Sequence, residues 1–197
     1  MLRRSEDIFL DELDIVVCSV IKNALNEIDK SNCDKARELL KPFVDKKDKA
    51  AIFYSSGFGV SGERLEEFEE RRIKQLQQSA KLGYAPAIHE LAVHYDSGEL
   101  VQRDVEKAAR LFKKAAEKGH PHSQWIHGLD LLYGRNGIAK NEKLGVDYIK
   151  KSALAKFESA LESMSEFYET GKYGFPVDVD KSQYFKNQMN DEDVLSY

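Results

Sequence analysis

The sequence predicts an all-α chain of stacked helix pairs, a solenoid. Three observations carry that prediction. First, Gly98, Gly134 and Gly171 recur 36 and then 37 residues apart, each closing a segment of similar pattern. Second, the residues between them keep the same offsets: Ala87, Ser123 and Ala160 form one column, Leu91, His127 and Met164 a second, and Tyr95, Leu131 and Tyr168 a third. Third, the following segments open alike, at Asp104, Asn141 and Asp178, whose side chains can accept hydrogen bonds from the free N–H groups of a first helical turn. A period of this length belongs to helix-pair arrays, in which no pair buries its apolar stripe alone and neighbours bury it jointly.

The elements follow in order. Residues 1–45 form an N-terminal helical cap. An amphipathic run there comprises Ile8, Leu10, Leu13, Val16, Val17, Val20, Ile21, Leu25 and Ile28, and a Ser31-x-x-Asp34 start leads into Ala36, Leu39 and Leu40. Residues 46–83 read as a degenerate repeat whose turn is Phe53-Tyr54-Ser-Ser-Gly57-Phe-Gly59-Val60. Its glycine-to-glycine distance, from 57 to 83, is 26 residues against 21 in the next unit. Clear repeats span 84–119 and 120–156, and a third spans 157–189. In the first of them Ala108, Leu111, Phe112, Ala115 and Ala116 hold helical spacing, and Gly83 and Gly119 stand just past Lys-bearing last turns, where a left-handed C-terminal residue favours glycine. Residues 190–197, with Asp191-Glu192-Asp193, form an acidic tail expected to fray. All of this is expected to be one continuous domain.

These residues resemble the Sel1-like repeat, a branch of the tetratricopeptide-like helical repeats: an Ala-rich helix with Leu-Gly and Tyr, a Gly and Val turn, an Asp-x-x-Lys-Ala helix with aromatic residues, then Ala-Ala and a closing Gly. The match is strongest over 84–119. The resemblance implies a right-handed superhelical stack of about five antiparallel helix pairs, with first helices lining a concave face that binds another protein.

Composition narrows the function. The 197 residues are 42% hydrophobic and 32% charged, a balance that folds. A net charge of -4 argues against nucleic acid as a partner, because phosphate backbones call for clustered Lys and Arg. Met1-Leu2-Arg3-Arg4 runs straight into Ser5-Glu6-Asp7 with no apolar signal core, and no apolar stretch is long enough to span a bilayer. The expectation is a cytoplasmic protein without membrane insertion. Cys18 and Cys33 are the only cysteines and lack a zinc-type arrangement; Cys18, in an apolar run, is expected to be buried as a small hydrophobe.

Each chemistry-bearing pattern has a packing explanation beside it. The string Ser55 to Gly62 holds three glycines but no P-loop Lys, so it reads as a repeat turn. His89 and His94, and His122 and His127, are five apart rather than the four that put two ligands on one helical face. His127 shares the apolar column of Leu91 and Met164, and His120 that of Tyr84 and Phe157, so both read as core and no metal or cofactor is expected. Glu63, Glu66, Glu67, Glu69 and Glu70 read as a solvated face. Glu158, Glu162, Glu166 and Glu169 recur along one helix, and like charges at this spacing repel, a cost that a basic partner recovers. Trp125, the only tryptophan, shares a column with His89 and Glu162 that tolerates polar residues and is expected to be part-exposed, an anchor of the hot-spot kind.

No triad, nucleophile elbow or dinucleotide fingerprint is present. The leading reading is a non-enzymatic adaptor binding a protein partner, with Trp125, His89, Glu158, Glu162, Glu166 and Glu169 as contacts. An alternative is a bacterial immunity protein that neutralises a cognate interbacterial toxin. A hydrolase working through carboxylates is a distant third.

Overall fold

The computed structural model describes residues 3–4, 9, 14–191 and 193–196. Ten α-helices run along them: α1 Ile15–Asp29, α2 Cys33–Asp45, α3 Lys49–Ser56, α4 Leu65–Lys81, α5 Ala85–Ser97, α6 Val105–Glu117, α7 Pro121–Tyr133, α8 Glu142–Leu154, α9 Glu158–Thr170 and α10 Val179–Gln188. A 3₁₀ turn spans Lys172–Gly174, and a two-residue strand β1, Arg3–Arg4, pairs in parallel with β2, Leu195–Ser196. The fold is all-helical apart from that short ladder. The chain divides into two compact units, Phe9–Asp104 and Val105–Tyr197 together with β1.

In the first unit, Ile21, Leu40, Ile52, Leu76 and Ile88 are fully buried and make the core of α1 to α5. The helix starts are capped by short polar side chains. Asp14 accepts from the Val16 N–H at 2.9 Å and Asp48 from the Ala51 N–H at 2.8 Å. The start of α2 is capped by Asn32, whose side chain accepts from the Lys35 N–H at 3.3 Å, while Ser31 takes a left-handed φ of 61°. The expected Ser31 start is thus moved by one residue. Ile15 and Val16 are exposed and Cys18 is only half-buried, so the expected burial of that thiol is not met; Ile8, Leu10 and Leu13 lie outside the described residues.

In the second unit the core joins Leu132, Val146, Ile149, Phe157, Leu161, Met164 and Phe167. The repeat columns have concrete jobs. The N–H of Asn141 donates to the Leu131 carbonyl at 2.8 Å and that of Asp178 to the Tyr168 carbonyl at 2.9 Å; in the first unit Asp104 does the same to Tyr95 at 2.8 Å. The same residues that open α8 and α10 cap them: Asn141 accepts from Leu144 at 3.1 Å and Asp178 from Lys181 at 2.9 Å. A second recurrent bond ties second helices to first ones. Ser152 Oγ donates to the carbonyl of Pro121 at 2.7 Å, as Ser79 Oγ does to that of Lys49 at 2.6 Å; Pro121 and Lys49 are the first residues of α7 and α3.

Small residues set the helix spacing. A Cβ on Gly145 of α8 would sit 2.7 Å from the Gly128 carbonyl oxygen of α7, and one on Gly128 would sit 2.9 Å from that of Gly145. Backbone touches backbone here, which no larger side chain permits. In the next pair the same columns hold Ser165 and Ser182, whose hydroxyls meet at 3.0 Å.

The C-terminal segment departs from expectation. Val194 and Leu195 are both buried to 1% exposure, and the Leu195 N–H donates to the Lys156 carbonyl at 2.9 Å. Asp191 pairs with Lys156 at 3.1 Å. The acidic residues point a fray that two apolar side chains overrule, because burying Val194 and Leu195 against Phe157 and Leu161 outweighs the entropy of a short tail.

Candidate protein-interaction surface

The proposed contact residues fall into different environments. Trp125, in α7, is half-buried. Its ring lies 6.0 Å from that of His122, near parallel at 28°, and 6.0 Å from that of Phe157. The indole Nε1–H donates to Ser163 Oγ of α9 at 3.1 Å, and that hydroxyl donates onward to the Ser159 carbonyl at 2.7 Å. The polar edge is therefore satisfied within the chain, and what Trp125 offers outward is apolar ring surface.

Glu158, Glu162, Glu166 and Glu169 are all exposed on α9. They are not electrostatically equal. Glu166 pairs with Lys172 at 2.6 Å, a contact that raises the Lys172 pKa, and Glu169 pairs with Lys186 of α10 at 3.2 Å. Glu158 and Glu162 have no ion-pair partner among the described residues. The uncompensated charge thus sits in the first half of α9, next to the serines that hold Trp125. The lysines that halve the stripe come from later in the chain, so no local pattern along α9 reveals them.

His89 belongs elsewhere. It lies in the first unit with 5% exposure, and burial pushes its imidazole down to about 4, opposed by the Glu90 charge. The expectation of a part-exposed column fails at this position, because His89 is packed into the α5 interior rather than presented to solvent. The other histidines are also accounted for locally. His120 is buried as expected of its column, and it has an added role as the cap of α7: its Nδ1 accepts from the Ser123 N–H at 3.3 Å. His122 stacks against both Trp125 and Phe157, the latter with its ring centroid 5.0 Å away. No group of three His, Cys, Asp or Glu side chains among the described residues is placed to hold a metal ion.

The glycine-rich segment is tied to Glu63, the first residue of the acidic cluster. Arg71 of α4 makes two bonds to Glu63, at 2.7 and 2.8 Å, and with the same guanidinium donates to the carbonyls of Phe58 at 2.8 Å and Ser55 at 3.4 Å. That contact holds the Glu63 carboxyl below its usual range. A planar guanidinium strapping loop carbonyls explains the segment without any phosphate, and the residue responsible was not singled out in the sequence. No helix among the described residues is long and apolar enough to cross a membrane.

Comparison with known proteins agrees with this architecture. Residues 85–120 and 121–157 match the family model of the Sel1 repeat. A Sel1 repeat protein from Oxalobacter formigenes superposes with a TM-score of 0.74 at 18% identity, covering 88% of this chain and 72% of that one. A protective antigen present in uropathogenic Escherichia coli strains, displaying an SLR fold, superposes with a TM-score of 0.64 at 25% identity, over 78% of this chain and 32% of that one. In sequence, chitin synthase regulatory factor 2 of Schizosaccharomyces pombe is 30% identical over 112 residues, 56% of this chain. The chain spans only 22% of that relative's length. Sel1 repeats are in general scaffolds for protein–protein interaction and typically carry no catalysis. With the two matched segments, the helix pairs and their recurrent hydrogen bonds, residues 85–157 are Sel1 repeats within a chain whose fold is that of Sel1-like repeat structures.

Proposed function

We propose that this chain is a non-enzymatic adaptor of the cytoplasm that binds a protein partner bearing a basic surface, through the face formed by α7 and α9. The carrying observation is the juxtaposition of the half-buried Trp125 ring with the exposed carboxylates of Glu158 and Glu162, which have no ion-pair partner among the described residues. A large ring fixed by neighbours loses little freedom on binding, and rim charges steer a complementary partner. Glu166 and Glu169, engaged by lysines, are peripheral in this reading, and His89 drops out. We read 1–45 as a cap and 46–83, 84–119, 120–156 and 157–189 as the repeat units.

The test is affinity capture from the native source followed by titration of the recovered partner. Trp125→Ala is expected to weaken that partner by about thirtyfold, about 2 kcal/mol, the scale of an interface anchor. The pair Glu158→Lys with Glu162→Lys is expected to weaken it most at low salt. A partner whose Kd is the same for wild type and both variants overturns the assignment of this face.

A further inference from the structure

Four aromatic rings of the second unit carry a cation of the chain itself. Lys150 Nζ lies 5.0 Å from the ring centroid of Phe175, Lys151 Nζ 5.1 Å from that of Tyr148 and Lys181 Nζ 5.2 Å from that of Tyr168, while the Arg135 guanidinium carbon lies 5.2 Å from that of Tyr133. A cation is drawn to the negative face of a ring, and among these side chains indole attracts it best. Yet no Lys or Arg among the described residues lies over Trp125, although its ring keeps part of its surface exposed.

The surroundings of that ring narrow what can meet it. Its N–H is engaged by Ser163 Oγ at 3.1 Å, so the indole offers another molecule no polar handle, and His122 and Phe157 hold it with ring centroids 6.0 Å away. The two serines of this hydrogen-bond chain, Ser159 and Ser163, each directly follow a carboxylate, Glu158 and Glu162. Those two glutamates stand four residues apart on α9, where like charges repel, and both are exposed with no ion-pair partner among the described residues. A cation laid on the Trp125 ring answers the ring face and the two charges together.

The form of that cation follows from its hydration and shape. A lysine ammonium is compact and strongly hydrated, whereas a guanidinium is planar, weakly hydrated, stacks on aromatic faces and donates in a fork to carboxylates at its edge. We propose that the α7–α9 face takes one arginine side chain of the protein partner, its guanidinium lying on the Trp125 ring and donating to the Glu158 and Glu162 carboxylates. The inference rests on the reading of this face as the binding surface and adds the side chain that the face selects.

Trp125 is the only tryptophan, so the fluorescence of the full chain reports on this ring alone. At pH 7.5 and matched ionic strength the chain is titrated with three blocked tripeptides, each with glycine on both sides of a central arginine, lysine or citrulline; citrulline keeps the planar shape of arginine without its charge. The arginine peptide is expected to change the Trp125 emission and to bind about fivefold more tightly than the lysine peptide, with the citrulline peptide weakest. The double variant Glu158→Gln with Glu162→Gln, at two exposed positions, is expected to weaken arginine binding about tenfold. Equal binding of the arginine and lysine peptides, citrulline binding as tight as arginine, or arginine binding unchanged in the double variant overturns the proposal. Titration of the recovered partner reads the face separately. A partner weakened by Trp125→Ala, beside an arginine peptide that leaves the emission unchanged, overturns the arginine assignment and keeps the binding surface. A partner indifferent to Trp125→Ala overturns both.

Discussion

Replacing Gly145 by alanine tests the claim that α7 and α8 are held at backbone contact. In an ordinary helix interior this change is stabilising, by about 1 kcal/mol of propensity. Here the added Cβ would lie 2.7 Å from the Gly128 oxygen and 2.9 Å from both Cγ and Cδ2 of Leu132. Ordinary contact distances are about 3.3 Å or more to oxygen and about 3.5 Å or more to carbon. The nearest atom belongs to the backbone and the next to the stem of a side chain, so neither can swing aside. Relief therefore requires moving one helix by roughly half an ångström within a packed core, an overpacking cost of about 1–3 kcal/mol and here at the upper end. Subtracting the propensity gain leaves a net loss of about 1–2 kcal/mol, equivalent to roughly 3–6 °C in Tm for a chain of this size. Thermal and urea unfolding followed by circular dichroism measure it. Gly59→Ala is the control, because no atom lies within 4 Å of its added Cβ, and its stability is expected to hold or rise slightly. A Gly145→Ala protein as stable as wild type, or more so, refutes the close-contact account.

The buried histidine makes a pH statement. His89 has a folded-state pKa of about 4 against 6.5 when exposed, so the unfolded chain binds the proton more readily. Its contribution is complete above pH 6.5 and is lost as pH falls toward 4, amounting to about 2 kcal/mol by pH 5. Urea midpoints at pH 7.5 and 5.0 should therefore separate, and His89→Gln should narrow the gap; a gap of unchanged size would show that other groups cause it. Leu195→Ala removes a side chain that is 1% exposed and should cost about 2–4 kcal/mol, read as a fall in Tm, whereas a frayed tail would leave Tm where it was. The Trp125 variant described above tests the α7–α9 surface.

How much of this was legible in the linear chain depends on the range of the interaction involved. The period of 36 and 37 residues, the polar helix openers at Asn141 and Asp178 and the glycine turns are local or repeated signals, and they determined the helix pairs and the kinship with Sel1 repeats. Capping and hydrophobic periodicity act within a few residues, so sequence carries them directly. The repeat columns also identified His127 as a core position. They did not reveal that its Nδ1 is buried without a hydrogen-bond partner among the described residues, since that depends on what the neighbouring helices bring to it.

The electrostatic and burial details needed the tertiary structure. Lys172 and Lys186 neutralise half of the α9 stripe from beyond its own helix, and Arg71 straps a loop 8 to 16 residues away. His89 and Trp125 occupy one repeat column, yet one is buried in α5 while the other keeps part of its ring at the surface. The tail's acidic residues suggested solvent, and two apolar neighbours decided otherwise. A charge or a ring means what its neighbours make it mean, and those neighbours are chosen by packing between helices. The sequence by itself therefore determined the repeat and its helices, and only the assembled helices decided which of its polar groups remain available to another molecule.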